Sequence, residues 1–486
     1  MSVSALMTDF YELTMMYGYA KSNNNPKVVF DMFYRTNPYN GGYVVFTGLH
    51  DLLKRIEAFT FSKSDIEYLR GLNSFDEEFL SYLEDFSFKG DVYAMDEGSI
   101  VFPGEPLIRV ESSLMEAQLI EGMLLNTINF QSLIATKASR LYHSTKGAPM
   151  MEFGLRRAQG PDGALTASRA AFIGGCSATS NTLAGKVFNI PVAGTMAHSW
   201  IMSYESELEA FRLFANLYPD NAVLLIDTYD TLGSGIDNAI IVGKELQQKG
   251  KHISVRIDSG DLSYLSREIR RKLDESGLTD SKIVVSNDLT EEIIDTLVND
   301  KVPIDSYGIG THLVTGGNQS SLNGVYKLSA IWKSEKTPLP VMKISNSFEK
   351  TTNPGRKQVY RFFDKEGSAI GDLITMESEK VYLGEDIIFH HPTNEADYFT
   401  LKKSRYVVAK PMLSLYMKDG EKLTKSVNIK KIQHEVIKNL ASFHSSYKRM
   451  INPHIYKVSL SRELKHLKTQ LVIEGKQKQE ASRDEK

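Results

Sequence analysis

Between residues 150 and 308 short apolar runs alternate with stretches of helical length, and each run stops at polar or charged residues. The runs fall at 150–153, 174–178, 190–195, 222–227, 252–258, 282–287 and 304–308. About seven strand–helix units in about 170 residues is too many for two mononucleotide-binding halves, and it fits an irregular TIM-like α/β barrel. In such folds chemistry gathers at the carboxyl ends of the strands. The stretch Val192-Ala193-Gly194-Thr195-Met196-Ala197-His198-Ser199 reads as one such strand, ending in a hydroxyl and an imidazole.

Four other strand ends carry comparable groups. Glu152-Phe153-Gly154-Leu155-Arg156-Arg157 comes first, and Asp227 with Asp230 follows. Arg256-Ile257-Asp258-Ser259-Gly260-Asp261 places Arg256 and Asp258 on one face of a strand that holds to its end. Gly308-Ile309-Gly310-Thr311 closes the barrel with glycines that let backbone N–H groups approach an anion. For each group there is a bland alternative. A histidine at a strand end is more often structural, Arg256 and Asp258 can simply pair with each other, and Phe153 can be core. In a functional reading a neutral His198 among carboxylates is a nucleophile or base, and Arg256 holds an anionic group by its planar fork. Asp258 then faces a hydrated Mg²⁺, and Phe153 stacks on a flat substrate.

Outside the barrel region the pattern changes. A helix is expected over 7–19, strands over 28–35 and 43–46, and short helices over 49–59, 63–72 and 76–86. Residues 89–112 read as small hairpins and 114–143 as a long helix. Strands return after 334, followed by helices near 427–450 and 459–473. The expected organisation is an α+β segment 1–145, a barrel 146–332, a β-rich then helical segment 333–475, and a charged, frayed tail 476–486.

Composition narrows the function classes. Net charge is −3 with no basic block, which gives no support for nucleic acid as a partner. The single cysteine, Cys176, forms no internal disulfide and excludes a multi-cysteine zinc site. No apolar run is long enough to span a bilayer, and the N-terminus lacks a signal-peptide pattern, so a cytoplasmic protein with no membrane partner is expected.

At these residues the chain resembles the nicotinate phosphoribosyltransferase family, one of the type II phosphoribosyltransferases. The resemblance rests on Thr8-Asp9-Phe10-Tyr11-Glu12, Glu152-Phe153-Gly154-Leu155-Arg156-Arg157-Ala158, Gly194-Thr195-Met196-Ala197-His198-Ser199, Arg256-Ile257-Asp258-Ser259-Gly260-Asp261 and Gly308-Ile309-Gly310-Thr311, in that order. It implies an enzyme that makes nicotinate mononucleotide and pyrophosphate from nicotinate and phosphoribosyl pyrophosphate, on the route from nicotinic acid to NAD. It also implies ATP coupling of the ligase type through a phosphohistidine matching His198, with Mg²⁺ near Asp258. Tyr11, Phe153, Thr195 and Arg256 would bind nicotinate. Arg156, Gly308, Gly310 and Thr311 would hold phosphate groups, and Asp288 would lie near the ribose hydroxyls. Asn181 matches a position where the related nicotinamide enzyme has Asp; its neutral amide would not repel a substrate carboxylate. The implied fold adds to the barrel an α+β domain built from N-terminal and post-barrel segments, in a homodimer whose sites are completed across the interface. The carboxylate orienting His198 stays open among Asp227, Asp230 and Glu152.

Two other classes compete with this reading. A phosphate-binding barrel enzyme such as an aldolase or isomerase would explain the glycines and Arg256. No lysine sits at an expected strand end for a Schiff base, however, and Thr195 with His198 would be unneeded. A non-catalytic sensor of a pyridine nucleotide would have no use for His198, Arg256 and Asp258 together.

Overall fold

The structure, a computed structural model, describes residues 4–333, 337–345, 351–394, 396–423 and 428–484. It divides into two compact units, residues 134–320 and residues 1–133 with 321–486. The ends of the expected segments at 334 and 427, and the last two residues of the expected tail, lie outside the described residues.

The unit 134–320 is built on six parallel strands. Their spatial order is Ala178–Thr179, Met150–Glu152, Ser306–Ile309, Lys282–Val285, Ile253–Ile257 and Ala222–Leu225. Ile253–Ile257 alternates buried and half-buried residues, which leaves Arg256 at a half-buried position one step from the strand end. The register brings the strand ends to one level: Leu225 and Val284 pair with Arg256, Val285 with Tyr307, Ile309 with Glu152, and Glu152 with Thr179. Helices follow the strands with caps supplied by the sequence. Asp261 accepts from Tyr264 N–H ahead of Leu262–Glu275, Ser206 from Glu209 N–H ahead of Glu207–Leu217, and Thr290 from Ile293 N–H ahead of Glu291–Asn299.

Two expected strands take another form. The run 174–178 begins at the last residue of the helix Gly160–Gly174 and then turns, with Gly175 at φ 128°, so that only Ala178–Thr179 pairs. The run 190–195 contributes a single parallel bridge, Thr179 to Val192. Pro191 lacks an N–H for a ladder, and Gly194 has no side chain to pack, so pairing stops after one residue. Thr195 and His198 therefore stand on a loop leading into the short helix His198–Met202. The parallel sheet is curled but open: the outcome is a TIM-like α/β half-barrel in place of a closed ring.

The unit formed by 1–133 and 321–486 holds two larger antiparallel-rich sheets. The first has seven strands, ordered Leu339–Pro340, Gly324–Ile331, Lys27–Tyr34, Ile108–Ser113, Asp91–Ala94, Ser414–Lys418 and Glu421–Lys422. The second has six, including Lys357–Phe363 and Ala369–Met376. Pre-barrel and post-barrel segments thus share one sheet, with Val28 opposite Ile331. Arg109 ties the two sheets, donating from Nη1 to the Lys357 carbonyl at 2.6 Å and pairing through Nη2 with Glu377 at 2.8 Å. The C-terminal helix spans Arg462–Asp484 and so runs through most of the segment expected as a frayed tail. Among the described residues no helix is long and apolar enough to cross a membrane.

Candidate active site

The strand ends of the half-barrel surround a cavity of about 470 Å³. Its wall takes Phe153, Leu155, Arg156 and Arg157 from the loop after Met150–Glu152, Ser180 from the next loop, and Gly194 to Ala197 from the loop before the helix His198–Met202. Arg256 and Asp258, Ser286 to Asp288, and Gly308, Gly310 and Thr311 complete it. Nine of the expected residues are thereby brought together: Phe153, Arg156, Thr195, Arg256, Asp258, Asp288, Gly308, Gly310 and Thr311.

Arg256 is the most distinctive of them. Its Nη1 donates to the Thr195 hydroxyl, and its Nε is buried without a hydrogen-bond partner. Burial pulls the guanidinium below its ordinary value, against the opposing pull of Asp258 and Asp227, with Arg156 pushing the same way as burial. A buried N–H with nothing to bond is costly. Arg256 and Thr195 both line the cavity, so the guanidinium and the hydroxyl it bonds stand together on one wall.

Phe153 stands opposite a glycine it depends on. A Cβ on Gly308 would lie 2.7 Å from Phe153 Cδ2 and Cε2, so only glycine leaves the ring its place. Gly154 is needed for the same reason beside Val314, where a Cβ would come within 2.3 Å of Cγ1. Asp258 is fixed on the other wall: its Oδ1 accepts from Ser286 Oγ at 2.6 Å, and its N–H donates to Asp227 Oδ2 at 2.8 Å. Asn287 beside it adopts φ 106°, a strained conformation for a residue with a side chain.

Other expected residues lie elsewhere. His198 starts the short helix next to the wall residue Ala197, and its ring is not part of the cavity lining. Its Nδ1 lies 3.1 Å from Thr228 Oγ1. Of the three carboxylates considered as its orienting group, Asp227 holds the Asp258 N–H and the Ser259 hydroxyl. Asp230 caps a following turn through Gly233 N–H, and Glu152 is buried among Gly154, Ser168 and Thr179. The partner of His198 is thus a hydroxyl that the sequence reading passed over, although Thr228 directly follows the strand-end Asp227. Asn181 is 3% exposed and does not line the cavity. Its Oδ1 caps the helix Thr182–Phe188 through Ala184 N–H, and its Nδ2 donates to Ser168 Oγ at 3.2 Å and to the Ala164 carbonyl at 3.3 Å. The wall position belongs to its neighbour Ser180. Tyr11 belongs to the other unit, on the helix Phe10–Lys21, where it is about half exposed.

Comparison with known proteins agrees with this geometry. Three family models match: the nicotinate phosphoribosyltransferase N-terminal domain over residues 6–129, the nicotinate phosphoribosyltransferase family over 149–378, and the C-terminal domain over 356–468. A nicotinate phosphoribosyltransferase of Bacillus subtilis (strain 168) is 41% identical over 483 residues, covering 99% of this chain and 98% of its own. One from Caenorhabditis elegans is 38% identical over 525 residues, covering 95% and 92%. The crystal structure of human nicotinic acid phosphoribosyltransferase superposes with a TM-score of 0.84 at 28% identity, covering 96% of this chain and 99% of that one. With its α/β half-barrel, its second domain and its strand-end cavity, the chain belongs to the nicotinate phosphoribosyltransferase family.

Proposed function

We propose that this chain transfers phosphoribosyl from phosphoribosyl pyrophosphate to nicotinate, releasing pyrophosphate, and couples the reaction to ATP hydrolysis through a phosphohistidine at His198. The observation that carries this reading is Arg256 on the cavity wall, bonded through Nη1 to the Thr195 hydroxyl and with its buried Nε left without a partner. That pair suits a planar carboxylate, and Phe153 supplies a ring to stack on the pyridine. Arg156 and the Gly310-Thr311 loop offer charge and backbone donors for phosphate groups, and Asp288 offers acceptors for ribose hydroxyls.

In this scheme the pyridine nitrogen bonds to the anomeric carbon as the bond from that carbon to pyrophosphate oxygen breaks. Positioning and charge stabilisation do most of the work, because an oxocarbenium-like state and a leaving anion form together. Among the described residues no group of three or more His, Cys, Asp or Glu is arranged to hold a metal by itself. Mg²⁺ keeps several waters and takes one or two carboxylates plus substrate phosphates, a role that Asp258 and Asp288 on the wall fit. When bound it supplies positive charge to the departing pyrophosphate. The reading includes action in the cytoplasm and a homodimer in which Tyr11 of one subunit closes the site of the other.

The direct test incubates the protein with nicotinate, phosphoribosyl pyrophosphate, Mg²⁺ and ATP, and measures mononucleotide, with nicotinamide as the discriminating control. No product from either pyridine would overturn the reading. Arg256→Lys keeps the charge and loses the fork, so nicotinate kcat/KM is expected to fall by a factor equivalent to about 1.5–3 kcal/mol while ATP hydrolysis survives. Steady-state kinetics with varied nicotinate decides this. Gly308→Ala forces the Phe153 ring to move, an overpacking worth about 1–3 kcal/mol. A higher nicotinate KM with little change in the KM for phosphoribosyl pyrophosphate is the expected result.

A further inference from the structure

Glu152 is fully buried one residue before Phe153, and its carboxylate accepts from three donors. Oε1 takes the Gly154 N–H; Oε2 takes the Ser168 hydroxyl at 2.8 Å and the Thr179 hydroxyl. The Glu152 carbonyl accepts the Ser180 N–H at 2.9 Å. The two hydroxyls reach onward to Asn181: Ser168 Oγ accepts its Nδ2, and Thr179 Oγ1 accepts its backbone N–H at 3.0 Å. Ser168, Thr179 and Asn181 are all buried as well.

This network has a consequence for the cavity. Phe153 is held between Glu152 and Gly154, and Ser180 between Thr179 and Asn181. The residues flanking both wall positions are therefore bonded to one carboxylate or to its immediate partners. A carboxylate only accepts, and all three groups around this one can donate to it, the Ser168 hydroxyl at 2.8 Å with the Ala164 carbonyl at 3.0 Å as its second acceptor. A glutamine there has one oxygen and an NH₂, and cannot accept all three in the same arrangement.

We propose that Glu152 is a positioning residue for the pyridine pocket, one that sets the placement of the Phe153 ring relative to the Ser180 loop without touching substrate. Asn181 contributes to substrate choice through this network and not by contact: its amide is committed to Ser168, Ala164 and the helix cap, so it presents no acceptor to an amide substrate. The inference rests on the nicotinate reading above.

The test uses Glu152→Gln and Ser168→Ala in the full chain. In Glu152→Gln the nicotinate KM should rise about tenfold or more, and in Ser168→Ala about threefold, with kcat at saturating nicotinate and ATP hydrolysis without nicotinate both within about twofold of wild type. Hydrogen exchange should quicken together at 153–154 and 180–181 in both variants. A lowered Tm with unchanged nicotinate KM would show a structural role only and overturn the proposal. Loss of kcat at constant KM, or loosening of one segment without the other, would overturn it too. If Glu152→Gln does not fold, Ser168→Ala decides alone, since it leaves Gly154 and Thr179 bonded. Wild-type protein that neither binds nicotinate in calorimetry nor converts it would sink the nicotinate reading and this inference together. An active wild type with unaffected variants sinks only the inference.

Discussion

His198→Ala is expected to lose nicotinate-dependent ATP turnover below detection, while slow transfer uncoupled from ATP remains. The imidazole is the one nucleophile in the Thr195-to-Ser199 loop suited to accept a phosphoryl group at neutral pH. One ring nitrogen is engaged, Nδ1 with Thr228 Oγ1 at 3.1 Å, which fixes the ring and leaves Nε2 for the incoming phosphorus. In the proposed step a ring nitrogen would bond to the γ-phosphorus as the bond from phosphorus to the ADP oxygen breaks and ADP departs. A phosphate at the first residue of the helix His198–Met202, next to the wall residue Ala197, would add negative charge beside the cavity and would alter substrate affinity through the cycle. Arg256, Thr195 and Phe153 stay in place in the variant, so residual transfer is the counterpart of lost coupling. Mass spectrometry under alkaline conditions should find phosphate on His198 in the wild type. Phosphate on other residues only would refute the assignment.

Much of the site was legible because strand ends leave a local signature. An apolar run that stops at Arg256-Ile257-Asp258 or at Gly308-Ile309-Gly310-Thr311 names both a strand and its polar tip, and Arg256, Asp258, Gly308, Gly310 and Thr311 do share one cavity. What the signature misses is pairing. Residues 190–195 have strand composition, but Pro191 and Gly194 limit them to one bridge, and His198 moves from a strand end to a helix start. Hydrogen-bond assignments were equally out of reach. Nothing local says that Glu152 turns toward Ser168 and Thr179, or that His198 meets Thr228 instead of a carboxylate. Asn181 looked like a substrate contact because its position was known and its partners were not; the helix cap and Ser168 claim its side chain. In the other unit, the valine- and aromatic-rich run 28–35 marks a strand but cannot name a partner some three hundred residues away, at Gly324–Ile331.

Tyr11→Ala and His198→Ala are each expected to be nearly inactive alone, and their co-expressed heterodimer is expected to recover activity. Tyr11 lies on the N-terminal helix Phe10–Lys21, 48% exposed beside Phe10 at 51%. That exposure leaves the Tyr11 ring available to a partner subunit in the proposed dimer. The Tyr11 hydroxyl is pushed up to about 12, first by burial and then by Glu121, Glu12 and Asp9, so it stays protonated and can donate throughout the neutral range. Beneath it Glu12 is fully buried, bonded to the Thr8 hydroxyl, which anchors the helix turn that carries the ring. If Phe153 stacks on one face of nicotinate, a flat substrate in an open cavity still has a second face toward water. Tyr11 from a partner subunit would cover it. A two-fold dimer then holds two identical composite sites. A heterodimer of the two variants has one site with both Tyr11 and His198 and one with neither, so activity should return to about half the wild-type value when sites act independently. Purified heterodimers, separated by differential tags and assayed for mononucleotide, decide the matter. Heterodimers as inactive as either parent would place Tyr11 in its own chain's site, or show that both sites must work together.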